Sequence, residues 1–271
     1  MDLLKGTWII NFPTGMANHD NSKSSAKPDG LAKALYQWLL APAVIRQGNL
    51  EVLLIREYLG RVPGIFVEVG ANDPFIDSQT WALESDGWMG LLVEPLAEKA
   101  SELCEKRKAI VEAVACGPPE LDGTEAEFHV SHRKDALSSL NPIGAKPGNE
   151  FPETRRVPVR TLDSLVEKAG FEQIDFLSID VEGFESEVLK GATLERLRPR
   201  LCLIEDWAID WTVHRQMTAA GYKRVRRTQV NSWYVPREAR FPVSILGRFQ
   251  LFRKYVLNVP IHRMRHRATA G

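Results

Sequence analysis

The stretch IFVEVGAND, residues 65–73, decides the fold of this chain. Its first five residues form a short apolar run that follows Pro63-Gly64 and ends at Gly70. A run of this length, apolar at nearly every position and bounded by glycine, is typical of a strand buried on both faces of a parallel sheet. We therefore predict a buried strand followed at once by a tight turn.

Similar runs recur along the chain and alternate with helical segments. The predicted strands cover residues 65–69, 90–95, 109–116, 174–180 and 201–205, and the predicted helices between them cover 78–84, 96–108, 161–169 and 184–191. This alternation predicts a doubly wound α/β fold with a mostly parallel sheet. Residues 124–130 add a strand, 131–158 form a long loop, and 221–225 and 232–235 form a final antiparallel pair.

The chain is expected to divide into four parts. Residues 1–30 are predicted to be a flexible leader, because 13–30 carry too little apolar surface to offset the entropy of ordering. Residues 31–61 form N-terminal helices, 62–240 the main domain, and 241–271 a basic amphipathic C-terminal segment. The sequence shows neither a bilayer-length apolar run nor a secretion-signal pattern, so we expect a cytoplasmic protein, with peripheral membrane contact left open.

The charge is balanced overall but unevenly distributed. The chain has 35 basic and 35 acidic residues, yet from Trp211 onward there are 13 lysines and arginines and one acid, Glu238. This asymmetry predicts an acidic body with a basic C-terminal part. The three cysteines lack the spacing of metal ligands and indicate reduced thiols rather than a disulfide framework.

Gly70 and Glu94 together predict a nucleoside site. In open α/β sheets ligands bind outside the carboxyl ends of the strands, where a glycine lets the backbone approach a cofactor. Glu94 closes the next strand, where a carboxylate can accept hydrogen bonds from both ribose hydroxyls. Neither the three-glycine dinucleotide fingerprint nor a P-loop is present in the sequence. An adenosine cofactor without phosphates is therefore favoured, and S-adenosylmethionine is the common choice.

Four runs resemble the signature of the FkbM family of O-methyltransferases. They are FVEVGAND at 66–73, GLLVEP at 90–95, RTLDSL at 160–165, and IDFLSIDVEG at 174–183 followed by EVLKG at 187–191. The resemblance spans about residues 62–236 and is most specific from Asp180 to Gly191. It implies a seven-stranded, Rossmann-like class I methyltransferase sheet. It also implies methyl transfer from S-adenosylmethionine to a hydroxyl of a sugar, glycolipid or secondary metabolite.

The predicted cofactor site lies at the ends of these strands. Two residues depart from the family pattern: Pro74 stands where many relatives have glycine, and Asp206 where histidine is frequent. The predicted cofactor-binding residues are Glu68, Gly70, Ala71, Asn72, Ser78, Glu94, Pro95, Ala113 and Asp180.

Asp180 and Glu182, after the fourth predicted strand, are the main candidate catalytic residues. Methylating an alcohol requires a general base or a metal ion that acidifies the hydroxyl. Asp180 could act as the base, or bind a hard cation such as Mg²⁺ together with Glu205 and Asp206. The sequence also allows Glu182 to cap a helix and Asp180 to hydrogen-bond the cofactor's amino group.

Other residues extend the candidate site. His132 in the long loop and His214 after the fifth predicted strand are further candidate bases, or simply exposed side chains. Trp207 and Trp211 are candidate walls of an acceptor pocket or parts of the core. The segment from Arg248 to Arg267 mixes apolar and basic residues, which predicts contact with an anionic membrane or an acidic partner, or a helix docked on the acidic body.

The leading hypothesis is therefore an O-methyltransferase that acts on a small-molecule or glycan hydroxyl. The basic C-terminal part raises an RNA methyltransferase as an alternative, although the sequence lacks an Asn-Pro-Pro-aromatic motif and nucleic acid is not the favoured partner. A non-catalytic adaptor that keeps the fold is the third hypothesis. The sequence leaves open whether the chain forms a homo-oligomer.

Overall fold

The computed structural model describes residues 30–46, 50–60, 62–130, 140, 153–206 and 211–257. The strands are β1 (Val44–Ile45), β2 (Ile65–Val69), β3 (Met89–Val93), β4 (Ile110–Glu112), β5 (Ala115–Cys116), β6 (Glu125–Val130), β7 (Glu153–Arg160), β8 (Phe176–Ile179), β9 (Leu201–Glu205), β10 (Tyr222–Thr228) and β11 (Asn231–Pro236). The helices are α1 (Gly30–Leu39), α2 (Glu51–Leu59), α3 (Trp81–Ser85), α4 (Ala97–Lys106), α5 (Leu162–Lys168), α6 (Glu185–Lys190), α7 (Leu194–Leu197), α8 (Thr212–Ala219) and α9 (Ile245–Phe252), which a π-helical turn (Arg253–Leu257) extends.

The main sheet has the strand order β1-β10-β11-β9-β8-β2-β3-β4. β2 lies between β3 and β8 and runs parallel to both, and β9 runs parallel to β8. β11 pairs antiparallel with both β9 and β10, as predicted for the C-terminal pair. The strand order reverses at β2, so a crevice opens there between the carboxyl ends of β2, β3 and β8.

The α/β class is confirmed, whereas the predicted count of seven strands differs from the eight strands of the main sheet. The additional strand is β1, which pairs parallel with β10 at the edge of the sheet. Without β1, β10 would be the edge strand of the sheet, and its outer backbone groups would lack strand partners. β1, the segment before α2, supplies these partners. The two helices predicted before the first long strand are present as α1 and α2.

A second, three-stranded sheet replaces part of the predicted third strand and of the long loop. The prediction of one strand over 109–116 was wrong, because β4 joins the main sheet whereas β5 pairs with β7. The predicted loop over 131–158 was also wrong at its end, since β7 begins at Glu153 and pairs antiparallel with β6. Val157 and Val159 point inward and pack with Phe128, which explains why this polar, proline-containing segment is a strand.

Apolar side chains of successive strand residues point to opposite faces of the main sheet. On one face Val67, Leu91 and Leu177 belong to a core with residues of α5, α6, α7 and α8. On the other face Phe66 and Phe176 belong to a core with residues of α2, α3 and α4. Among the described residues, none of the helices is long and apolar enough to cross a bilayer.

Glu68 is buried on the sheet face that carries α3 and α4, where it organises the connection from β2 to α3. Its carboxylate accepts hydrogen bonds from the hydroxyls of Thr80 (2.5 Å) and Ser78 (3.0 Å) and from the amide of Gln79 (3.1 Å). Burial raises the pKa of Glu68, and the donated hydrogen bonds oppose this rise. These contacts fix the start of α3 against the sheet.

Arg107, at the end of α4, closes the same network from the other side. Its side chain is fully buried and donates hydrogen bonds to the Pro74 carbonyl (3.1 Å) and the Thr80 hydroxyl (3.0 Å). It also pairs with Glu84 at 3.3 Å. The buried Arg107 guanidinium therefore holds residues 74–80, which follow the turn at Gly70.

We predict that Arg107→Met lowers the free energy of unfolding by about 3–5 kcal/mol, because the Glu84 carboxylate, the Pro74 carbonyl and the Thr80 hydroxyl lose their donor. Urea denaturation measures the change. The control is Arg56→Met, whose ion pair with Asp86 is solvent-exposed and should contribute less than about 1 kcal/mol. Equal losses in the two variants would show that the network does not stabilise the fold.

Candidate functional site

A cleft opens at the carboxyl ends of β2, β3 and β8, where the strand order reverses. Polar groups reach it from three strand ends: Gly70 and Asn72 after β2, Glu94 after β3, and Asp180 after β8. Its apolar walls consist of Val69, Val93, Leu96, Val114, Ala115, Cys116, Phe128, Leu140, Val181 and Phe184. An apolar cleft with a few convergent polar groups is typical of a small-molecule site.

Gly70 makes the turn after β2 with a positive φ of 86°. Its amide and that of Ala71 donate to the Val93 carbonyl at 2.9 and 3.2 Å. A Cβ at Gly70 would lie 1.9 Å from the carbonyl oxygen of Asp180, a distance that no side chain can occupy. Glycine is therefore required for the ends of β2, β3 and β8 to meet at this point.

The Glu94 carboxylate lies directly against this turn. One carboxylate oxygen accepts the Asn72 amide at 3.0 Å and the other accepts the Leu96 amide at 2.9 Å. Each carboxylate oxygen can accept more than one hydrogen bond, so both retain acceptor capacity toward the cleft. Burial raises the pKa of Glu94 to about 7, and the two amide hydrogen bonds limit the rise.

An acidic cluster adjoins the cleft: Asp180 and Glu182 line it, and the buried Glu205 lies beside them. One carboxylate oxygen from each lies within 4.8 Å of the others. Burial raises the pKa of Asp180 well above its usual range, and the neighbouring Glu205 and Glu182 raise it further. A hydrogen bond between Asp180 and Glu205 raises the pKa of Asp180 further.

The backbone around this cluster brings its members together. Asp180 donates its amide to the Val69 carbonyl at 3.0 Å, which ties the end of β8 to the end of β2. Glu182 then adopts a positive φ of 53°, which is rare for a residue with a side chain. Glu185 accepts the Gly183 amide at 2.9 Å, and burial raises its pKa to about 7. A positive φ at a residue with a side chain, as at Glu182, is a backbone conformation that clusters at functional sites.

Asp206 follows Glu205 but does not join the acidic cluster. Its carboxylate accepts the Ser232 hydroxyl at 2.6 Å and pairs with Arg227 and with Arg224, the latter at 3.4 Å. Successive side chains of a strand point to opposite faces, so Glu205 and Asp206 diverge. The expectation that Asp206 lies with Asp180 and Glu205 is therefore corrected, because the third carboxylate beside them is Glu182.

Several predicted cofactor contacts lie outside the cleft. Glu68 and Ser78 bond to each other in the network that holds α3, because Glu68 points to the face opposite Val69. Ala71 is buried in the core, and Ala113 is exposed before β5. Of the nine predicted residues, those that line the cleft are Gly70, Asn72, Glu94, Pro95 and Asp180.

Of the predicted histidines and tryptophans, the structure describes His214 and Trp211, and neither lines the cleft. His132 and Trp207 lie outside the described residues. His214 on α8 lies 5.8 Å from Trp211, between ring centroids, and both line a groove beside β10 and the C-terminal helix. Burial lowers the pKa of His214 to about 4, and the nearby Arg224 lowers it further. The structure thus separates this aromatic pair from the cleft.

Sequence reasoning missed the apolar wall that the small sheet contributes to the cleft. Val114, Ala115 and Cys116 follow β4 and line the cleft together with Phe128 of β6, which packs in the same apolar cluster as Ala115. Burial raises the pKa of Cys116 to about 12, so its thiol stays neutral and contributes apolar surface. The sequence offered one signal for this wall, which is that Gly117 ends the segment after β4. The prediction treated that segment as part of one continuous strand and so missed the change of sheet between β4 and β5.

Comparisons with known proteins point to one family. A sequence model of the FkbM methyltransferase domain matches residues 68–223. The crystal structure of an FkbM methyltransferase from Methylobacillus flagellatus KT is 16% identical, with a TM-score of 0.47, and the match covers 71% of this chain and 48% of that one. The chain thus spans about half the length of that structure.

A SAM-dependent methyltransferase from Aquifex aeolicus is 13% identical, with a TM-score of 0.35, and the match covers 69% of this chain and 90% of that one. No curated protein matches the sequence. The domain match extends over more than half of the 271 residues. This chain therefore belongs to the FkbM methyltransferase family.

Proposed function

We propose that this protein is an S-adenosylmethionine-dependent O-methyltransferase of the Rossmann-like class I type. The observation that carries the proposal is the Glu94 carboxylate at the Gly70 turn, with its two oxygens held by backbone amides. A carboxylate at this position can accept both ribose hydroxyls of an adenosine moiety. The cleft residues fit an adenosine moiety, because only a glycine at position 70 lets the ends of β2 and β8 lie close enough to form this edge of the cleft.

The walls of the cleft favour an uncharged base over a phosphate. Val114, Ala115 and Phe128 offer apolar surface on which an adenine ring would pack. Bound S-adenosylmethionine supplies an electrophilic methyl group on a positively charged sulfonium. The acidic cluster of Asp180, Glu182 and Glu205 gives the neighbouring part of the cleft a negative potential, which attracts such a cation and repels phosphates.

Asp180 is the residue that we propose as general base. A hydroxyl must lose its proton as it is methylated, and a base within hydrogen-bond reach takes that proton. The raised pKa of Asp180 makes its ionised carboxylate a stronger base than an exposed one. We propose a hydroxyl of a sugar, glycolipid or secondary metabolite as the acceptor, in keeping with the family.

A Mg²⁺ ion at Asp180, Glu182 and Glu205 is the second candidate for the same chemistry. Three carboxylates with oxygens within 4.8 Å match the oxygen ligands that a hard cation takes. A bound cation would acidify the acceptor hydroxyl. Activity that falls at least tenfold with EDTA and returns with Mg²⁺ would favour the metal, whereas activity unchanged by EDTA is the result expected if Asp180 acts as the base alone.

We predict that S-adenosylmethionine binds and that Glu94→Gln weakens binding about 10- to 100-fold, because hydrogen bonds to an ionised acceptor are lost. Ribose hydroxyls stabilise the ionised carboxylate, whose pKa in the free protein is about 7. Below that pH a proton must leave before binding, so the affinity of the wild-type protein falls, by up to about tenfold per pH unit. Titration calorimetry at several pH values measures both effects.

The control for this prediction is Glu102→Gln on α4, which removes an exposed carboxylate paired with Lys106. Its affinity for S-adenosylmethionine and the pH dependence should equal those of the wild type. If Glu94→Gln loses the pH dependence of binding and Glu102→Gln keeps it, the result supports the assignment of Glu94 to the ribose. Absence of binding by the wild-type protein would remove the proposed function.

We predict that Asp180→Asn lowers methyl transfer about 10²–10⁴-fold, because an amide cannot accept the hydroxyl proton. Binding of S-adenosylmethionine should change far less, since Glu94 is intact. The assay follows transfer of radiolabelled methyl groups into an extract of the source cells, and identification of the labelled product names the acceptor. Glu187→Gln, an exposed change on α6, is the control. Undiminished transfer by Asp180→Asn would deny this residue a catalytic role.

A further inference from the structure

α9 and the π-helical turn after it present an apolar stripe to solvent. The stripe consists of Ile245, Phe249, Phe252 and Val256, which are 52%, 55%, 50% and 42% exposed. Their spacing of four, three and four residues places them on one side of the helix. Surface helices normally bury such a stripe, so a continuous exposed one indicates an interaction surface.

The stripe is exposed because the opposite side of the helix is already docked. Gly247 is buried so tightly that a Cβ there would lie 2.9 Å from the Cβ of Ala43. Gln250 accepts the amides of Ala43 (3.0 Å) and Val44 (3.2 Å), and the Tyr255 hydroxyl bonds to Ser232 at 2.6 Å. These contacts prevent the helix from turning the stripe toward the protein.

α1 adds further exposed apolar side chains beside α9, against which it packs. Leu35, Trp38 and Leu39 have the helical spacing of one face and are 53%, 63% and 42% exposed. Both helices therefore contribute large apolar groups, including an aromatic indole, to one end of the molecule. Tryptophan and phenylalanine are the residues that favour the boundary between headgroups and acyl chains.

Basic residues flank the stripe without any acidic ones. Arg248 and Arg253 are exposed on α9 and the following turn, and the described residues from Ile245 to Leu257 contain three lysines and arginines and no acid. Burial lowers the pKa of Lys254, and Arg227 and Arg46 lower it further. The side of the molecule around α9 thus carries unbalanced positive charge.

We propose that the apolar stripe and the adjoining face of α1 dock on an anionic phospholipid membrane, with Arg248 and Arg253 among the headgroups. An apolar face bordered by arginines is the pattern of helices that lie in a membrane interface. A symmetric dimer through the same stripe would bring the arginines of two copies together, and this repulsion disfavours self-association. The proposal rests on residues outside the cleft and does not depend on the proposed function.

The experiment is co-sedimentation of the full chain with phosphatidylcholine vesicles that do or do not contain phosphatidylserine. The expected result is at least about tenfold stronger partitioning onto the anionic vesicles, which weakens as salt is raised. Phe249→Asp together with Phe252→Asp should lower the binding at least about tenfold. Arg248→Gln together with Arg253→Gln should lower binding to anionic vesicles only.

The matched control is Met89→Asp together with Ile110→Asp, which adds the same charges at exposed apolar positions on β3 and β4, at the other end of the main sheet. This variant should bind vesicles more strongly than the Phe249/Phe252 variant does. Cooperative unfolding of each variant verifies that it is folded. Absence of vesicle binding by the wild-type chain would overturn the proposal. A lipid-free dimer that Phe249→Asp and Phe252→Asp dissociate would instead assign the stripe to a second copy.

Discussion

The hydrogen bonds that the Glu94 carboxylate accepts from the Asn72 and Leu96 amides are the contact on which the cleft depends. They join the turn after β2 to the end of β3, beside Gly70, where a Cβ would clash with the Asp180 carbonyl oxygen. A buried carboxylate is costly unless donors surround it. Here two backbone amides hold it without using all of its acceptor capacity, which leaves the group available to a ligand.

Glu205 and Asp206 show how one strand end serves two purposes. Glu205 lies beside Asp180 in the acidic cluster and hydrogen-bonds it. Asp206 points away from the acidic cluster. Together with Arg227 and Ser232 it hydrogen-bonds the Tyr255 hydroxyl, in the π-helical turn that follows α9. The acidic cluster and the helix that exposes the apolar stripe are therefore connected through two adjacent residues.

The sequence predicted the positions where strands end, because Gly70, Glu94 and Asp180 each terminate a short apolar run and parallel strands end at the same edge. It could not predict which way the side chains point. Glu68 and Asp206 are close in sequence to cleft residues, yet the two-residue period of a strand turns both toward other partners. β7 was missed because its register depends on a distant partner, β6, and its own residues are mostly polar.

The central claim is that Glu94 holds the ribose of an adenosine cofactor at the glycine turn. The most direct test is a crystal structure of the chain with S-adenosylhomocysteine, the demethylated cofactor. The account predicts that both ribose hydroxyls lie within hydrogen-bond distance of the Glu94 carboxylate, at roughly 2.5–3.0 Å. A ribose bound elsewhere, or a Glu94 carboxylate that still contacts protein groups alone in the complex, would contradict it.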